Sequence, residues 1–276
     1  MSDASIENIR PAPGVPVIAM INWEGLRALY IKEVRRFFKV HLQTIWAPAI
    51  TTLLYLVIFS VALGGGDRQV MGTSFADFVA PGLIVATGMM QSAFANASFS
   101  LLVGKIQGTI VDYLMPPLSA GELLAALAGA AMTRAVLVGF AVWAAMLLWP
   151  GVTHLPRVPW AVVWFGLMGA ALMAFVGVLA SIWAEKFDHN AAVTNFVVQP
   201  LSLLSGTFYS VDRLHGVFRA ISHFNPFFYV ISGFRYGFLG VSDSNVVVGA
   251  LLLLAINVVL GSACYVALRT GWKLRN

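Results

Sequence analysis

Long apolar runs, separated by short polar or glycine-rich segments, dominate this sequence. The hydrocarbon layer of a bilayer is about 30 Å thick, and a helix needs roughly 20 apolar residues to cross it. Several runs reach that length without an uncompensated charge, which a helix in a water-soluble core rarely does. The pattern therefore predicts an all-α membrane protein with six transmembrane helices, at about residues 44–63, 78–103, 122–149, 160–183, 191–208 and 246–268.

Glycine and proline mark the ends and breaks of these runs. The first run ends at the glycine triplet 64–66, where a short polar link to the second run begins. Pro200 lies inside the fifth run, where it removes a backbone donor and clashes with the preceding turn. We expect the fifth helix to be kinked or broken there, with neighbouring groups satisfying the freed backbone.

An amphipathic helix is predicted over residues 24–41, between a cytoplasmic N-terminal tail (1–23) and a transmembrane domain (42–276). Leu26, Tyr30, Val34 and Phe37 recur at helical spacing, and basic residues take the other face. Such a helix suits the surface of an anionic inner leaflet. It is either a simple basic anchor or a docking surface for a cytoplasmic partner. The basic residues of this interface helix are Arg27, Lys32, Arg35, Arg36 and Lys39.

The segment from Tyr209 to Asn245 is too hydrophobic for an ordinary loop, and Pro226 and Gly233 interrupt it. Irregular backbone at membrane depth is tolerated only against protein or a wet cavity. We therefore expect two short re-entrant helices that dip into the outer leaflet before the last span without crossing it.

Composition agrees with the bilayer as solvent, since 59% of the residues are hydrophobic and 11% are charged. The formal charge of +5 resides beside the spans rather than on a soluble module, so nucleic acid is not an expected partner. Lysine and arginine favour the links on the side of both termini, which predicts cytoplasmic termini. One cysteine, Cys264, allows neither a disulfide nor a thiolate metal cluster within one chain.

The link between the second and third runs, residues 104–121, is unusually apolar for a loop. A short helix is expected to end at Pro116 and Pro117, since a proline pair stops a helix. Ser119 and Glu122 then have the spacing of a capping box at the start of the third run. We expect a partner to cover this link.

Together, the basic first helix, the segment Asp112–Glu122 and the segments Leu204–Tyr209 and His223–Phe227 resemble the ABC-2 family of transporter permeases. The resemblance is to bacterial half-size permeases of drug, polysaccharide or lipid exporters and extends over nearly the whole chain. The family's first motif has Ser-Pro where this chain has Pro116-Pro117, a change that preserves the helix break.

This resemblance implies a six-span fold like that of other ABC-2 exporters, in the bacterial inner (plasma) membrane. It also implies a homodimer that works with two copies of a separate ATPase, and contact with membrane lipid. The first contact with the ATPase would be a coupling helix, with Gly108, Ile110, Val111, Asp112, Tyr113, Leu114 and Met115. The second would be the inner link with Glu185, Lys186 and Asp188.

Motifs for nucleotide or metal chemistry are absent from the sequence. No Gly-x-x-x-x-Gly-Lys-[Ser/Thr] loop occurs, so the chain lacks a P-loop for nucleotide phosphates. No His-Glu-x-x-His motif occurs, and the histidines lack metal-ligand spacing. We therefore expect a transport subunit rather than an enzyme, without a cofactor of its own, whose ATPase partner binds ATP and Mg²⁺.

Arg134 is the basic residue well inside a predicted span, where a charge costs at least about 2.5–3.5 kcal/mol on insertion scales. It must face protein or water, as a substrate contact, a gating residue, a snorkelling side chain or a structural bond to carbonyls. Amides in the spans more often join helices than bind cargo. The candidates for a translocation path are Arg134, Gln91, Asn96, Asn195, Gln199, Phe208 and Tyr209.

Two other classes of function compete with an exporter of amphipathic, lipid-linked or drug-like cargo. An ion-coupled secondary transporter would use intramembrane acids or broken helices in two related repeats. Here the acidic residues flank the spans, and no repeat is evident. An intramembrane enzyme would need converging catalytic groups, and none is apparent in the spans.

Overall fold

The computed structural model describes residues 21–62, 69–147, 155–211 and 215–274. These residues are largely helical, with one short antiparallel hairpin of Gln69–Val70 (β1) and Thr73–Ser74 (β2). Segments of π-helix at Leu42–Trp46, Ile84–Met90 and Thr194–Val198 lead into α2, α4 and α9. The α-helices are α1 (Trp23–Phe38), α2 (Ala47–Ala62), α3 (Phe75–Leu83), α4 (Gln91–Ile106), α5 (Val111–Leu114), α6 (Ala120–Met146), α7 (Pro159–Trp183), α8 (Phe187–Val193), α9 (Gln199–Leu203), α10 (Val217–Phe224), α11 (Pro226–Leu239) and α12 (Val246–Thr270).

Within the described residues, five helices are long and apolar enough to cross a membrane. They match the first, second, third, fourth and sixth predicted spans. The predicted number of six transmembrane helices is therefore not confirmed. The prediction of an all-α membrane fold is confirmed. The five helices are Leu42–Phe59, Phe75–Ile106, Ala120–Met146, Pro159–Trp183 and Val246–Thr270.

The predicted fifth span, 191–208, is wrong at its C-terminal end, because α9 ends at Leu203. The hydroxyl groups of Ser205 and Thr207 both donate to the Ser202 carbonyl, so side chains take over bonds that would continue the helix. Gly206 then adopts a positive φ of 78°, which turns the chain. Before Pro200, a π-helical turn replaces the expected sharp break.

Capping residues set the start of several helices. Ser119 and Glu122 form the predicted capping box at the start of α6. The Asn225 side chain caps α11, with Pro226 in its first turn, where a missing N–H costs nothing. Asn245 caps α12 by accepting from two backbone amides. Polar residues between the apolar runs therefore fix where the helices begin.

Two helices, α10 and α11, do occupy the segment predicted to be re-entrant, and they separate at Asn225–Pro226. Gly233 does not interrupt α11, contrary to expectation. It lies inside the helix, where an added Cβ would come within 2.3 Å of the Phe165 ring. The glycine therefore allows α11 to pack closely on α7. Insertion of this segment into the outer leaflet stays a prediction.

The core lies around the helix Phe75–Ile106, in which 83% of the most apolar window is buried. Its α4 part packs along α7, and an added Cβ at Gly177 would lie 2.8 Å from the Ala97 Cβ. Small residues let these two backbones approach closely. By contrast, only 22% of the α2 window and 17% of the α12 window are buried, so these helices form the periphery.

Arg235 anchors the end of the bundle opposite the α4–α6 link. Sequence analysis placed it in an outer segment, but its side chain is 1% exposed and pairs with Asp243 at 2.7 Å. It also donates to the carbonyls of Phe78 and Gly206 and lies 3.7 Å from the Phe78 ring centroid. One guanidinium thus joins α3, α11 and the chain after α9.

We predict that Arg235→Met destabilises the protein by about 3–5 kcal/mol, because it leaves the Asp243 carboxylate buried without its counter-charge. The double variant Arg235→Met with Asp243→Leu should recover much of this loss. Thermal unfolding in dodecyl maltoside measures both variants. Arg157→Met is the control, since Arg157 donates to the Leu239 carbonyl near the same helix end. A single variant as stable as the double variant would contradict the prediction.

Candidate functional site

The link between α4 and α6 presents an apolar surface at the end of the bundle. The short helix α5 follows Gly108, whose φ of 73° turns the chain out of α4. Val111 and Met115 are 49% and 78% exposed, whereas Tyr113 is 8% exposed. The link therefore turns one side chain into the protein and leaves apolar ones outside.

Of the residues assigned to coupling by resemblance, Ile110 is half-buried, and Gly108, Val111, Asp112, Leu114 and Met115 are exposed. The exposed residues form a side of the α4–α6 link that a partner could contact.

Tyr113 is fixed by a buried carboxylate on α1. Its hydroxyl donates to the Glu33 Oε1 at 2.9 Å, and the Lys32 ammonium lies 3.9 Å from its ring centroid. Burial, and next the Glu33 charge, raise the pKa of the Tyr113 hydroxyl well above its ordinary value. Tyr113 therefore stays protonated at neutral pH and acts as a donor.

Glu33 is 0% exposed and has partners on three helices. The Ser100 hydroxyl donates to its Oε2 at 2.8 Å, and the Arg36 guanidinium pairs with the same oxygen at 2.9 Å. Arg36 also donates to the Asn96 carbonyl at 2.9 Å. Hydrogen bonds to a charged group contribute about 1.5–3 kcal/mol each. This network therefore ties α1, α4 and α5 together.

Sequence analysis missed Glu33 and placed Arg36 on the wrong face of α1. The inward face carries Leu29, Glu33 and Phe37. The predicted apolar face had Tyr30 and Val34 instead of Leu29 and Glu33, so that part of it was shifted by one residue. Arg36 turns inward to Glu33, whereas the other basic residues of the helix, Arg27, Lys32, Arg35 and Lys39, are exposed. A signal was available, because Glu33 is the one acidic residue between Arg27 and Lys39.

The start of α1 is joined to the start of α6. The Glu122 carboxylate accepts from the backbone amides of Asn22 and Ser119, and the Asn22 side chain donates to the Pro117 carbonyl at 3.2 Å. Further along, the Tyr30 hydroxyl bonds to Thr133 at 2.7 Å. The amphipathic helix is therefore part of the bundle rather than an independent arm.

The second predicted inner contact, the link after α7, is also exposed. Glu185, Lys186 and Asp188 are accessible, and Glu185 pairs with Lys273 at 3.0 Å. The hydrogen bond from Lys273 lowers the pKa of the Glu185 carboxyl. Lys105 donates to the carbonyls of Ile182 and Ala184 at 2.6 Å, which closes the C-terminal end of α7.

A groove of about 530 Å³ runs between α2, α4, α6 and the α9 region. This volume is typical of small-molecule sites. Its walls contain four of the predicted path residues, Gln91, Arg134, Gln199 and Phe208. The other residues that line it are Gln43, Ala47, Pro48, Thr51, Thr52, Tyr55, Phe59, Thr87, Ser92, Ala95, Ser202, Leu203 and Thr207.

The remaining predicted path residues lie elsewhere. Asn96 is buried beside Arg36. Asn195 is exposed on the outer face of its helix, and the Tyr209 hydroxyl donates to the Leu203 carbonyl at 3.2 Å. None of these three contributes to the groove wall. Polarity and position in a span were therefore insufficient to predict a shared site.

Comparisons with known proteins identify relatives over most of the chain. A family model described as ABC-2 type transporter matches residues 24–239. The inner membrane transport permease YadH of Escherichia coli K12 is 34% identical over 256 residues, covering 92% of this chain and 98% of the relative. Nodulation protein J of Rhizobium leguminosarum bv. viciae is 28% identical over 230 residues, covering 82% and 85%.

We predict that Tyr113→Phe loosens the α4–α6 link, because it removes one donor from Glu33 while leaving the ring in place. The loss should be about 1–3 kcal/mol of local opening free energy. Hydrogen exchange across residues 109–116 measures it. Tyr30→Phe removes a hydroxyl from the same helix bundle without touching Glu33 and serves as the control. Equal exchange in the two variants would refute the role given to Tyr113.

Proposed function

This chain belongs to the ABC-2 type transporter family, and we propose that it is the membrane permease of an ATP-driven exporter. In this proposal, two copies of the chain pair with two copies of a separate ATPase, which binds ATP and Mg²⁺ in the cytoplasm. The cargo is amphipathic, lipid-linked or drug-like and moves out of the cytoplasm. Both termini are cytoplasmic, on the side of the basic links.

The observation that carries the proposal is the apolar link anchored by Tyr113. The side chains of Val111 and Met115 are exposed. Exposed apolar side chains that lie together often mark a surface where a partner binds. A partner that covers them gains apolar burial. The buried Tyr113–Glu33 bond supplies the rigid connection that a flexible loop would lack.

Such a connection can transmit a movement of the ATPase to the spans. The Glu33 network joins the link to α1 and α4, α1 continues through a π-helical turn into α2, and α4 packs along α7. Rigid-body movements of this kind are a common form of conformational switching. A movement of α5 would therefore displace α2 and α4, which form two walls of the groove.

A second copy of the chain would complete the groove. Several polar residues that line the groove are at least partly exposed, among them Gln43, Thr51 and Gln199, and they are poorly placed against lipid. The exposed residues of α12, such as Val258 and Val259, are apolar and suit lipid. We therefore assign the α2 and α9 face to the dimer contact and α12 to the lipid.

Ion coupling has less support than ATP coupling. A proton-coupled carrier would need a carboxyl group that can gain and lose a proton near the path. Glu33 is the buried carboxylate of the α1 network, but Arg36, Ser100 and Tyr113 all bond to it. These partners occupy both oxygens of the Glu33 carboxylate, as expected of a structural group.

We predict that Val111→Asp with Met115→Asp weakens ATPase binding at least about tenfold, because charges enter an apolar contact. The fold should change by no more than about 0.5 kcal/mol, since both side chains are exposed. Co-purification with a co-expressed ATP-binding-cassette ATPase, together with ATP-dependent export, measures the effect. Met71→Asp, in the hairpin before α3, is the control. Normal ATPase retention by the double variant would overturn the coupling assignment.

We also predict that cysteines on α2 cross-link to a cysteine at position 196 of a second copy. Ala47→Cys, Thr51→Cys and Leu54→Cys are each combined with Phe196→Cys and oxidised in membranes. Gel electrophoresis should show a dimer for at least one pair, since a disulfide needs Cα atoms about 4.4–6.8 Å apart. Pairs with Val258→Cys on α12 are the control. If dimers formed only with the cysteine on α12, the contact between the two copies would not lie at α2 and the α9 region.

A further inference from the structure

Arg134 has a half-buried positive charge without a described counter-charge. It lies near the middle of α6, and its side chain contributes to the wall of the groove. Its Nε atom is buried without a hydrogen-bond partner. Among the residues that the structure describes, none forms an ion pair with Arg134. The α6 helix therefore presents an unsatisfied cation to the groove.

An unpaired cation at this depth is costly, since even insertion scales assign about 2.5–3.5 kcal/mol to an arginine at a helix centre. The position of the side chain in a groove, rather than on the lipid face, points to an anionic partner. Guanidinium groups bind carboxylates and phosphates through paired hydrogen bonds.

The chain itself offers no anion for this purpose. Its acidic residues lie in the tail, in α1, in the links or at the ends of spans, so a second copy would not bring one to the middle of α6. Glu33, on the adjacent α1, already accepts from Ser100 and Tyr113 and pairs with Arg36.

The groove also separates polar from aromatic walls. Gln91 and Gln199 join Arg134 in the lining, and their amides can donate to an anion. Along α2 the wall becomes aromatic at Tyr55 and Phe59, and the Phe59 ring lies 4.3 Å from the Phe208 ring. A ligand that contacts both the polar wall and the aromatic wall would need an anionic group and an apolar body.

We propose that Arg134 is the anion-binding residue of this groove and that the cargo is an amphiphile with a phosphate or carboxylate group. The anionic group binds Arg134, with Gln91 and Gln199 beside it, and the apolar body lies against Tyr55, Phe59 and Phe208. That the ligand is transported rests on the proposed function. Binding itself requires neither ATP nor an ATPase.

The test uses the purified full chain in dodecyl maltoside, a neutral amphiphile, without an ATPase. Dodecyl phosphate is added, and binding is measured by isothermal titration calorimetry. Dodecyltrimethylammonium and inorganic phosphate are the comparison ligands. We expect saturable binding of dodecyl phosphate, no saturable binding of the cationic amphiphile, and at least about tenfold weaker binding of inorganic phosphate, which lacks the apolar contact.

Arg134→Gln should weaken dodecyl phosphate binding about ten- to one-hundredfold, as expected for loss of a charge-assisted hydrogen bond. Arg134→Lys should retain part of the affinity. Arg269→Gln is the matched control, because it removes an exposed arginine at the end of α12. The empty Arg134→Gln protein should melt at the same temperature as the wild type or higher, since an unpaired, half-buried charge has been removed.

Equal affinity of wild type and Arg134→Gln for dodecyl phosphate would overturn the proposal. So would equally tight binding of inorganic phosphate, which would indicate a site for free anions. A marked loss of thermal stability in empty Arg134→Gln would also overturn it, because Arg134 would then have a structural role. Failure of ATPase coupling with Arg134-dependent binding intact would contradict only the proposed function.

Discussion

The need to give buried charged groups a partner governs this structure. Arg235 meets that need by bonding to Asp243 and to two carbonyls, and Glu33 meets it by bonding to Arg36, Ser100 and Tyr113. Each network joins segments that are distant along the chain, so each fixes one end of the bundle. Arg134 departs from this pattern, because its Nε atom has no hydrogen-bond partner among the residues that the structure describes.

The Arg235 network and the Glu33 network stabilise opposite ends of the helix bundle. At one end, Arg235 holds α3, α11 and the turn at Gly206 together, next to Thr207 and Phe208 in the wall of the groove. At the other end, Glu33 connects α1, α4 and α5. In the proposed coupling, these anchored ends would carry a movement of α5 to the walls of the groove.

Arg134 and Tyr113 fit one scheme of transport. An anionic amphiphile bound at Arg134 would be in contact with α4 and with the end of α2 nearest the link, and both helices connect to the Glu33 network. Coupling in this scheme needs a differential affinity between two states of the groove. A charge held in a closed, dry groove and then opened to water supplies such a difference, because electrostatic attraction is stronger at low dielectric constant.

The sequence by itself determined the all-α membrane class, the approximate position of five spans, the capping box at Ser119 and Glu122, and the family resemblance. These features depend on local periodicity, helix caps and run length, which neighbouring residues encode. The tertiary structure decided the end of α9 at Leu203, the helical placement of Gly233, and the burial of Arg235. It also decided the inward rotation of Glu33 and Arg36, and the grouping of Arg134 with Gln91, Gln199 and Phe208. These depend on contacts between residues far apart along the chain, and hydropathy cannot distinguish a face covered by protein from one covered by lipid, since both environments are apolar.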